Sequence, residues 1–224
     1  EEDMNVLCSQ MVGNNSYIIL DFGKEMHGGI RFISGWVQYG SCKVRIRFGE
    51  SYGEVNSSIG EKNATNDHSP RDFEALIVAY SDITFGQTGF RFVRIDLLED
   101  GKNIFFKNIY AENNIFSAPL IYSYEGKDER IKQIFNTAKR TVDLCSSTTE
   151  VWDGIKRDRL LWIGDLAPEV MALTSMYGKC KVIERSLDRS IKMFPLPSYM
   201  NNISTYSLWY LIILGIYYNE VNNK

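Results

Sequence analysis

The hydrophobic period of the chain changes at about Pro119, and this change restricts the possible folds more than any other feature of the sequence. Before it, apolar and polar residues alternate, which is the period of a half-buried β-strand. After it, apolar residues recur every three or four positions, which is the period of an amphipathic helix. Strands followed by helices indicate two domains in series, which we place at residues 1–118 and 119–224.

Several short runs in the first half have the alternation of antiparallel strands. In CKVRIRFGES, Val44, Ile46 and Phe48 lie on one face, and the basic residues between them lie on the other. GFRFVRIDLLED repeats this pattern, and glycines with clusters of Asn, Asp and Ser separate the runs. Many short strands joined by turns favour an antiparallel β-sandwich of jelly-roll-like arrangement.

The second half contains four segments with helical spacing, at residues 128–147, 164–178, 181–194 and 206–220. The second of these has Asp165 near its N-cap and Gly178 at its C-terminal stop. The fourth is apolar nearly all round, so we expect it to be buried on several sides. Either a four-helix bundle buries it, or its partner helices are missing because the chain is a piece of a larger protein.

The composition excludes several functional classes. The chain is 44% apolar and 24% charged, which is ordinary for a globular protein. A net charge of -3 without a basic tract gives no electrostatic attraction for nucleic acid or an anionic membrane. The most apolar stretch, residues 206–218, is shorter than the ~20 residues of a bilayer span.

The cysteines and histidines also limit the chemistry. Four widely spaced cysteines without a CxxC pair favour free thiols in a reducing compartment, so we expect a cytoplasmic protein. The chain does not begin with Met, so the lack of a visible signal peptide carries little weight. Two histidines are too few for a typical histidine-rich metal centre, and we expect no metal. The oligomeric state stays open.

The segment VWDGIKRDRLLWIGDLAPE, between the first two helical segments, concentrates acidic side chains. Cleavage of a glycosidic bond needs one carboxylic acid to protonate the leaving oxygen and a second carboxylate to activate water or attack directly. Asp153, Asp158 and Asp165 are candidates for these carboxylates.

The same segment offers side chains that bind sugars. Trp152 and Trp162 are candidate platforms for the apolar face of a pyranose, and Arg157 could bind hydroxyls or keep a neighbouring carboxylate ionised. Simpler structural explanations exist for three features of this segment. Asp165 could simply cap a helix, residues 156–159 could form a solvated turn, and Trp162 could belong to a hydrophobic core.

DGIKRDRLLWIGDLAPE resembles the signature of the bacterial α-L-rhamnosidases, glycoside hydrolase family seventy-eight, which is roughly D-x-x-x-R-D-E-R-x-x-W-x-G-D. ILDFGKEMHGGIRF, VRIRFGES and GFRFVRI are similar to the β-sandwich of that family, and YSLWYLIILGIYY is similar to its next barrel helices. The resemblance implies a β-sandwich followed by an (α/α)6 barrel. It also implies hydrolysis with inversion at the anomeric carbon, for which two carboxylates suffice without a cofactor.

Four residues match the end of the signature: Arg159, Trp162, Gly164 and Asp165. The resemblance implies that Trp162 and Asp165 contact the sugar in the −1 subsite. From Asp153 to Trp162, however, this sequence is one residue shorter than the signature. Aligned from the tryptophan, Asp158 replaces the acid Glu with a shorter side chain. Aligned from the left, Asp153 matches the first, sugar-binding Asp, and the gap falls at the acid.

We therefore expect a glycoside hydrolase of the α-L-rhamnosidase type that inverts terminal α-L-rhamnosides, with Asp158 as the proton donor. The expected substrate-binding residues are Asp153, Arg157, Trp162 and Asp165. The expected partner is a carbohydrate, and neither nucleic acid nor a membrane is expected. The alternative is a non-catalytic carbohydrate-binding or interaction module.

Two parts of the sequence complicate this expectation. The helices are too few for an (α/α)6 barrel, and no residue is a good candidate for the general base, since Glu184 and Glu220 are typical helix-surface charges. We therefore expect a truncated homologue or an N-terminal piece with little activity alone. The polar loop at residues 66–74, with His68 and Arg71, could reach a substrate site or be a solvated turn.

Overall fold

The computed structural model describes residues 16–61 and 70–222 and, for the backbone alone, residues 5–8. The chain divides into two compact units, Glu1–Asn114 and Ile115–Lys224. The first unit contains the strands and the second contains the long helices, so an antiparallel β region followed by helices is confirmed.

The first unit is a six-stranded antiparallel sheet with one short helix. Its strands are β1 Asn5–Cys8, β2 Tyr17–Val37, β3 Ser41–Gly49, β4 Asp72–Val78, β5 Asp82–Leu97 and β6 Asn103–Asn113, and the helix is α1 Tyr52–Asn56. The strands lie in the order β1-β6-β2-β5-β3-β4. Local pairing links β3 to β4, whereas the pairing of β2 with β5 and β6 joins distant parts of the chain.

The alternation predicted for β3 is present in the structure, with one difference. Val44, Ile46 and Phe48 are fully buried in the core of this unit. Arg47 belongs to the predicted polar face, yet it is buried as well, because its Nη2 donates to Oδ2 of Asp96 at 2.9 Å. The burial of this charge is therefore possible only with a carboxylate on the neighbouring strand.

The described strands form one hydrogen-bonded sheet, where two packed sheets were expected. The reason is that β2 and β5 are long strands that continue through irregularities instead of ending at them. In β2 the register shifts between Asp21 and Met26 and again near Gly28. A Cβ at Gly28 would collide with the carbonyl oxygen of Glu112, so a glycine is needed where β2 passes β6 closely.

The second unit contains four long helices at the positions where the helical period predicts them. They are α2 Glu129–Cys145, α3 Ile163–Tyr177, α4 Lys181–Met193 and α5 Ser204–Asn222. Asp128 caps α2 by accepting from the backbone N–H of Arg130 at 2.9 Å, and Gly178 ends α3 with a left-handed φ of 68°. Asp165, however, lies in the first turn of α3, and the N-cap position belongs to Trp162.

The prediction that the fourth helix is buried on several sides was wrong for α5 as the structure describes it. Tyr210 and Ile213 are buried, whereas Leu208 and Leu211 are 61% and 64% exposed. α5 packs mainly against α3, and no element in the described part of the chain covers its opposite face. Within those described residues, no helix has both the length and the hydropathy to span a bilayer.

Candidate functional site

The polar link between α2 and α3 is closed by its own hydrogen bonds. The backbone N–H of Asp153 donates to the carbonyl of Leu160 at 3.0 Å, and the N–H of Leu160 donates to Oδ1 of Asp153 at 2.9 Å. A bridge between Ser146 and Val151 precedes this loop, and the hydroxyl of Ser186 on α4 accepts from the N–H of Val151 at 3.0 Å. The loop at residues 153–160 is thus held at its base, with Asp153 at the closing point.

Asp153 lies among other carboxylates. Burial raises the pKa of Asp153, and the negative charges of Asp158 and Asp165 raise it further. The hydrogen bond from Leu160 and the charge of Arg157 act in the opposite direction. The structure thus brings together Asp153, Asp158 and Asp165, which are spread along the link and the first turn of α3.

Arg157 is one of three basic residues in the loop at residues 153–160, and it lies beside Asp158. Its Nε is 3.3 Å from Oδ1 of Asp158, while the arginine side chain is 62% exposed and the aspartate side chain is 23% exposed. The guanidinium therefore stays accessible on one side while it neutralises part of the charge of Asp158.

Glu169 is the acidic residue that the sequence-based list of candidates missed. It lies one helical turn after Asp165 on α3, so both side chains point to the same side of the helix. Burial raises the pKa of Glu169 to about 8, and the charges of Asp165 and Asp153 contribute. The i, i+4 spacing in GDLAPE was the available signal, but the burial could not be read from it.

The apolar surroundings of these carboxylates come from the end of α2. Cys145 packs with Leu144 and Ile155 in a small buried cluster. Burial raises the pKa of the Cys145 thiol to about 12, with further contributions from Glu169 and Asp153. These two carboxyl groups therefore lie near a desolvated, unreactive thiol, which explains why charge is disfavoured there.

The two tryptophans have different surroundings. Trp162 is half-buried at the start of α3, and its ring meets that of Tyr206 edge-on, with centroids 6.2 Å apart and planes at 86°. Trp152 donates through Nε1 to Oε1 of Glu150 at 3.0 Å, and Glu150 also contacts Arg189 of α4. Trp162 is neither fully exposed nor enclosed in the core, whereas Trp152 is tied to the side of α4.

The candidates of the first unit do not form a comparable group. Arg71 is 1% exposed, and its Nη1 donates to the carbonyls of Glu54 and Ser57 at 3.3 Å, so it is part of the interior of that unit. A substrate-facing role for Arg71 does not fit this burial. His68 lies outside the described residues.

No group of three or more His, Cys, Asp or Glu side chains within residues 16–61 and 70–222 has the arrangement of a metal site. Glu184, one of the two residues weighed for the general base, is occupied by other contacts. Its Oε1 accepts from the hydroxyl of Tyr217 at 3.0 Å and lies 3.5 Å from Nζ of Lys179.

Two solved structures share the fold of this chain. One is a rhamnosidase from Klebsiella oxytoca with rhamnose bound. The match covers 93% of this chain and 45% of the rhamnosidase chain, with a TM-score of 0.76 and 18% sequence identity. An α-L-rhamnosidase from Dictyoglumus thermophilum matches 90% of this chain and 24% of its own, with a TM-score of 0.58 and 20% identity.

At these identities the similarity concerns the fold alone, and the chain spans less than half of the length of either structure. No protein-family model matches the chain, and no curated protein matches it.

Proposed function

We propose that the chain is a glycoside hydrolase domain of the α-L-rhamnosidase type, which takes part in the inverting hydrolysis of terminal α-L-rhamnosides. The observation that carries the proposal is the electrostatic coupling of Asp153 to both Asp158 and Asp165, within a polar link that also presents Trp162. Crowded carboxylates beside a partly exposed aromatic ring are what protonation of a glycosidic oxygen and binding of a sugar face require.

In this proposal Asp158 gives its proton to the leaving oxygen as the glycosidic C–O bond breaks. Water attacks the anomeric carbon from the opposite face and loses a proton to a general base. Trp162 holds the apolar face of the ring, and Arg157 and Asp153 bind its hydroxyls. Asp165 is exposed in the first turn of α3, where it is placed to accept from a further hydroxyl. No metal or organic cofactor has a role in this chemistry.

Glu169 is a second candidate for the proton donor, and one observation favours it. A general acid must hold its proton at the working pH, and a pKa of about 8 keeps Glu169 protonated at neutral pH. Asp158 has the position of the acid when the α-L-rhamnosidase signature is aligned from the tryptophan, whereas Glu169 has the protonation state that the reaction needs.

We further propose that residues 1–118 are the β domain and that residues 119–224 provide the first helices of an (α/α)6 barrel, in a cytoplasmic protein. The exposed apolar side of α5 supports this proposal, since such a helix normally packs on both sides inside a barrel. An inverting enzyme also needs a base ~6.5–9.5 Å from the acid. Because Glu184 is engaged by Tyr217 and Lys179, we expect weak hydrolysis by these 224 residues.

The alternative is a carbohydrate-binding or interaction module without catalysis. The same half-buried Trp162 and exposed Asp165 would then bind sugar, and the carboxylates would only shape the site. Binding of L-rhamnose without any turnover favours this alternative.

The test compares two substrates with different leaving groups. An alkyl α-L-rhamnoside needs protonation of its leaving oxygen far more than p-nitrophenyl α-L-rhamnoside does. Replacement of the true acid should lower kcat on the alkyl substrate by about 10²–10⁴-fold and should affect the aryl substrate much less. Asp158→Asn and Glu169→Gln are the two test variants, and Asp188→Asn, on the exposed side of α4, is the control.

The pattern of losses assigns the role. A substrate-dependent loss in only one variant identifies that residue as the acid. Equal losses on both substrates in both variants would refute an acid role for either residue. Hydrolysis that both variants retain in full would place the reaction elsewhere.

A further inference from the structure

Trp162 is held by a turn that comes much later in the chain, between α4 and α5. The side chain of Asn201 accepts from the N–H of Ile163 at 3.1 Å and donates through Nδ2 to the carbonyl of Leu161 at 3.0 Å. Both neighbours of Trp162 are thus bonded to one side chain. Asn201 itself has a left-handed backbone with φ 50°, a conformation that asparagine tolerates better than most residues.

Tyr206, in the first turn of α5, stands directly beside Trp162. Their rings meet at nearly a right angle, so the two aromatic faces form a corner. Both residues are half-buried, so neither is enclosed in the core. A corner of this kind offers one ring to the face of a pyranose and a second ring to its edge.

Gly164 makes the close approach of Tyr206 possible. A Cβ at this position would lie 2.7 Å from both Cε1 and Cζ of Tyr206 and 2.9 Å from its hydroxyl oxygen. The phenol end of Tyr206 therefore rests on the backbone of the first turn of α3, next to Asp165. Glycine is therefore needed at position 164, because a larger residue does not fit under the ring of Tyr206.

The hydroxyl of Tyr206 is free to bind a ligand. Within the described part of the chain it makes no hydrogen bond, although it lies over a polar helix start. A phenol hydroxyl close to the backbone at Gly164 is suited to a sugar hydroxyl, because it can both donate and accept.

We propose that Tyr206 is a substrate-binding residue that forms, with Trp162, the second wall of the sugar site and binds a ring hydroxyl through its phenol. This inference rests on the proposed function, since it names a further residue of the same carbohydrate site. It extends the site from the polar link to the start of α5, and it assigns to that helix a contact with the monosaccharide.

The experiment measures L-rhamnose binding by titration calorimetry with the whole chain and the variants Tyr206→Phe and Tyr206→Leu. Loss of the hydroxyl should weaken binding about threefold to tenfold, and loss of the ring should weaken it at least about tenfold. Tyr199→Phe, at an exposed tyrosine of the same turn, is the matched control and should bind as the wild type does. Near-UV circular dichroism should report an unchanged fold for Tyr206→Phe.

The outcomes separate this inference from the proposed function. If the wild type binds no L-rhamnose, the proposed function fails and this inference fails with it. If the wild type binds L-rhamnose and both Tyr206 variants bind equally well, the second wall is refuted and the proposed site remains. Weaker binding by Tyr199→Phe to the same extent as by Tyr206→Phe would also refute it.

Discussion

The carboxylates of the sheet and those around the start of α3 have different surroundings. On the sheet, carboxylates lie against guanidinium groups. Arg45 and Asp72 form a two-point pair at 2.6–2.7 Å, and Asp96 accepts from both Arg47 and Arg94. Around the start of α3, Asp153 and Glu169 instead lie near other carboxylates.

The pKa directions express this difference. The Arg91 guanidinium lowers the pKa of Asp21 to about 2, and Arg31 lowers that of Asp82. Burial and like charges raise the pKa of Asp153 and take that of Glu169 to about 8. Paired charges stabilise a fold, whereas crowded carboxylates cost stability and are common where proton transfer occurs. This contrast is the physical reason to look for function in the helical unit.

The largest effect should follow from breaking a buried pair on the sheet. Arg47→Met removes one of the two guanidinium groups that serve Asp96, and both Arg47 and Asp96 are buried. We expect the free energy of unfolding to fall by about 3 kcal/mol, because a buried carboxylate loses part of its compensation. Urea denaturation at pH 7 measures this change. The double variant Arg47→Met with Asp96→Leu should recover part of the loss, and an equal or greater loss would contradict the explanation.

An effect that depends on pH should follow from Glu169→Gln. In the unfolded chain this carboxyl group ionises near 4.5, whereas in the folded chain it ionises near 8. Between these values the folded state holds the additional proton, so the stability of the wild type falls as the pH rises. The slope from this group is about 1 kcal/mol per pH unit.

Glu169→Gln should remove that slope and should be relatively more stable than the wild type at pH 8 than at pH 5. Denaturation of both proteins across this range measures the difference. Parallel stability curves would contradict a raised pKa for Glu169. An NMR titration of the Glu169 carboxyl carbon tests the pKa directly, and Asp165→Asn should lower it, since it removes one of the neighbouring charges.

The smallest effect should follow from breaking an exposed pair. Arg91 and Asp21 lie 2.7 Å apart with both side chains more than 40% exposed. Solvent screens such a pair, so Asp21→Asn should leave the thermal midpoint unchanged within error at physiological salt. Because this pair is exposed, the lowered pKa of Asp21 corresponds to only a small contribution, which is lost as the pH falls toward 2. A clear fall of the thermal midpoint at pH 7 would show that exposed and buried ion pairs of this sheet contribute similarly to stability.

Local patterns were sufficient to predict the four long helices, because their spacing and their ends depend on neighbouring residues. The stop of α3 at Gly178 is an example, since glycine adopts the left-handed conformation that ends a helix. The strand β3 was equally clear from its alternation.

Features that depend on distant contacts were not predictable in this way. The union of the strands in one sheet depends on how β2 pairs with β5 and β6, and neither partner is adjacent to it in sequence. The exposure of α5 depends on which elements surround it. Glu169 stands next to Asp165 in the helical pattern, but its raised pKa comes from burial beside Cys145.

The double hydrogen bond of Asn201 has a consequence for any effort to change what the chain recognises. This position requires a donor, an acceptor and a backbone with positive φ at once, and glycine supplies only the last of these while aspartate lacks the donor. Variant libraries confined to the link before α3 would leave Asn201 unchanged, although Asn201 holds both neighbours of Trp162. Changes at Asn201 would instead alter the position of the indole itself, so this residue is where a different sugar preference should be sought first.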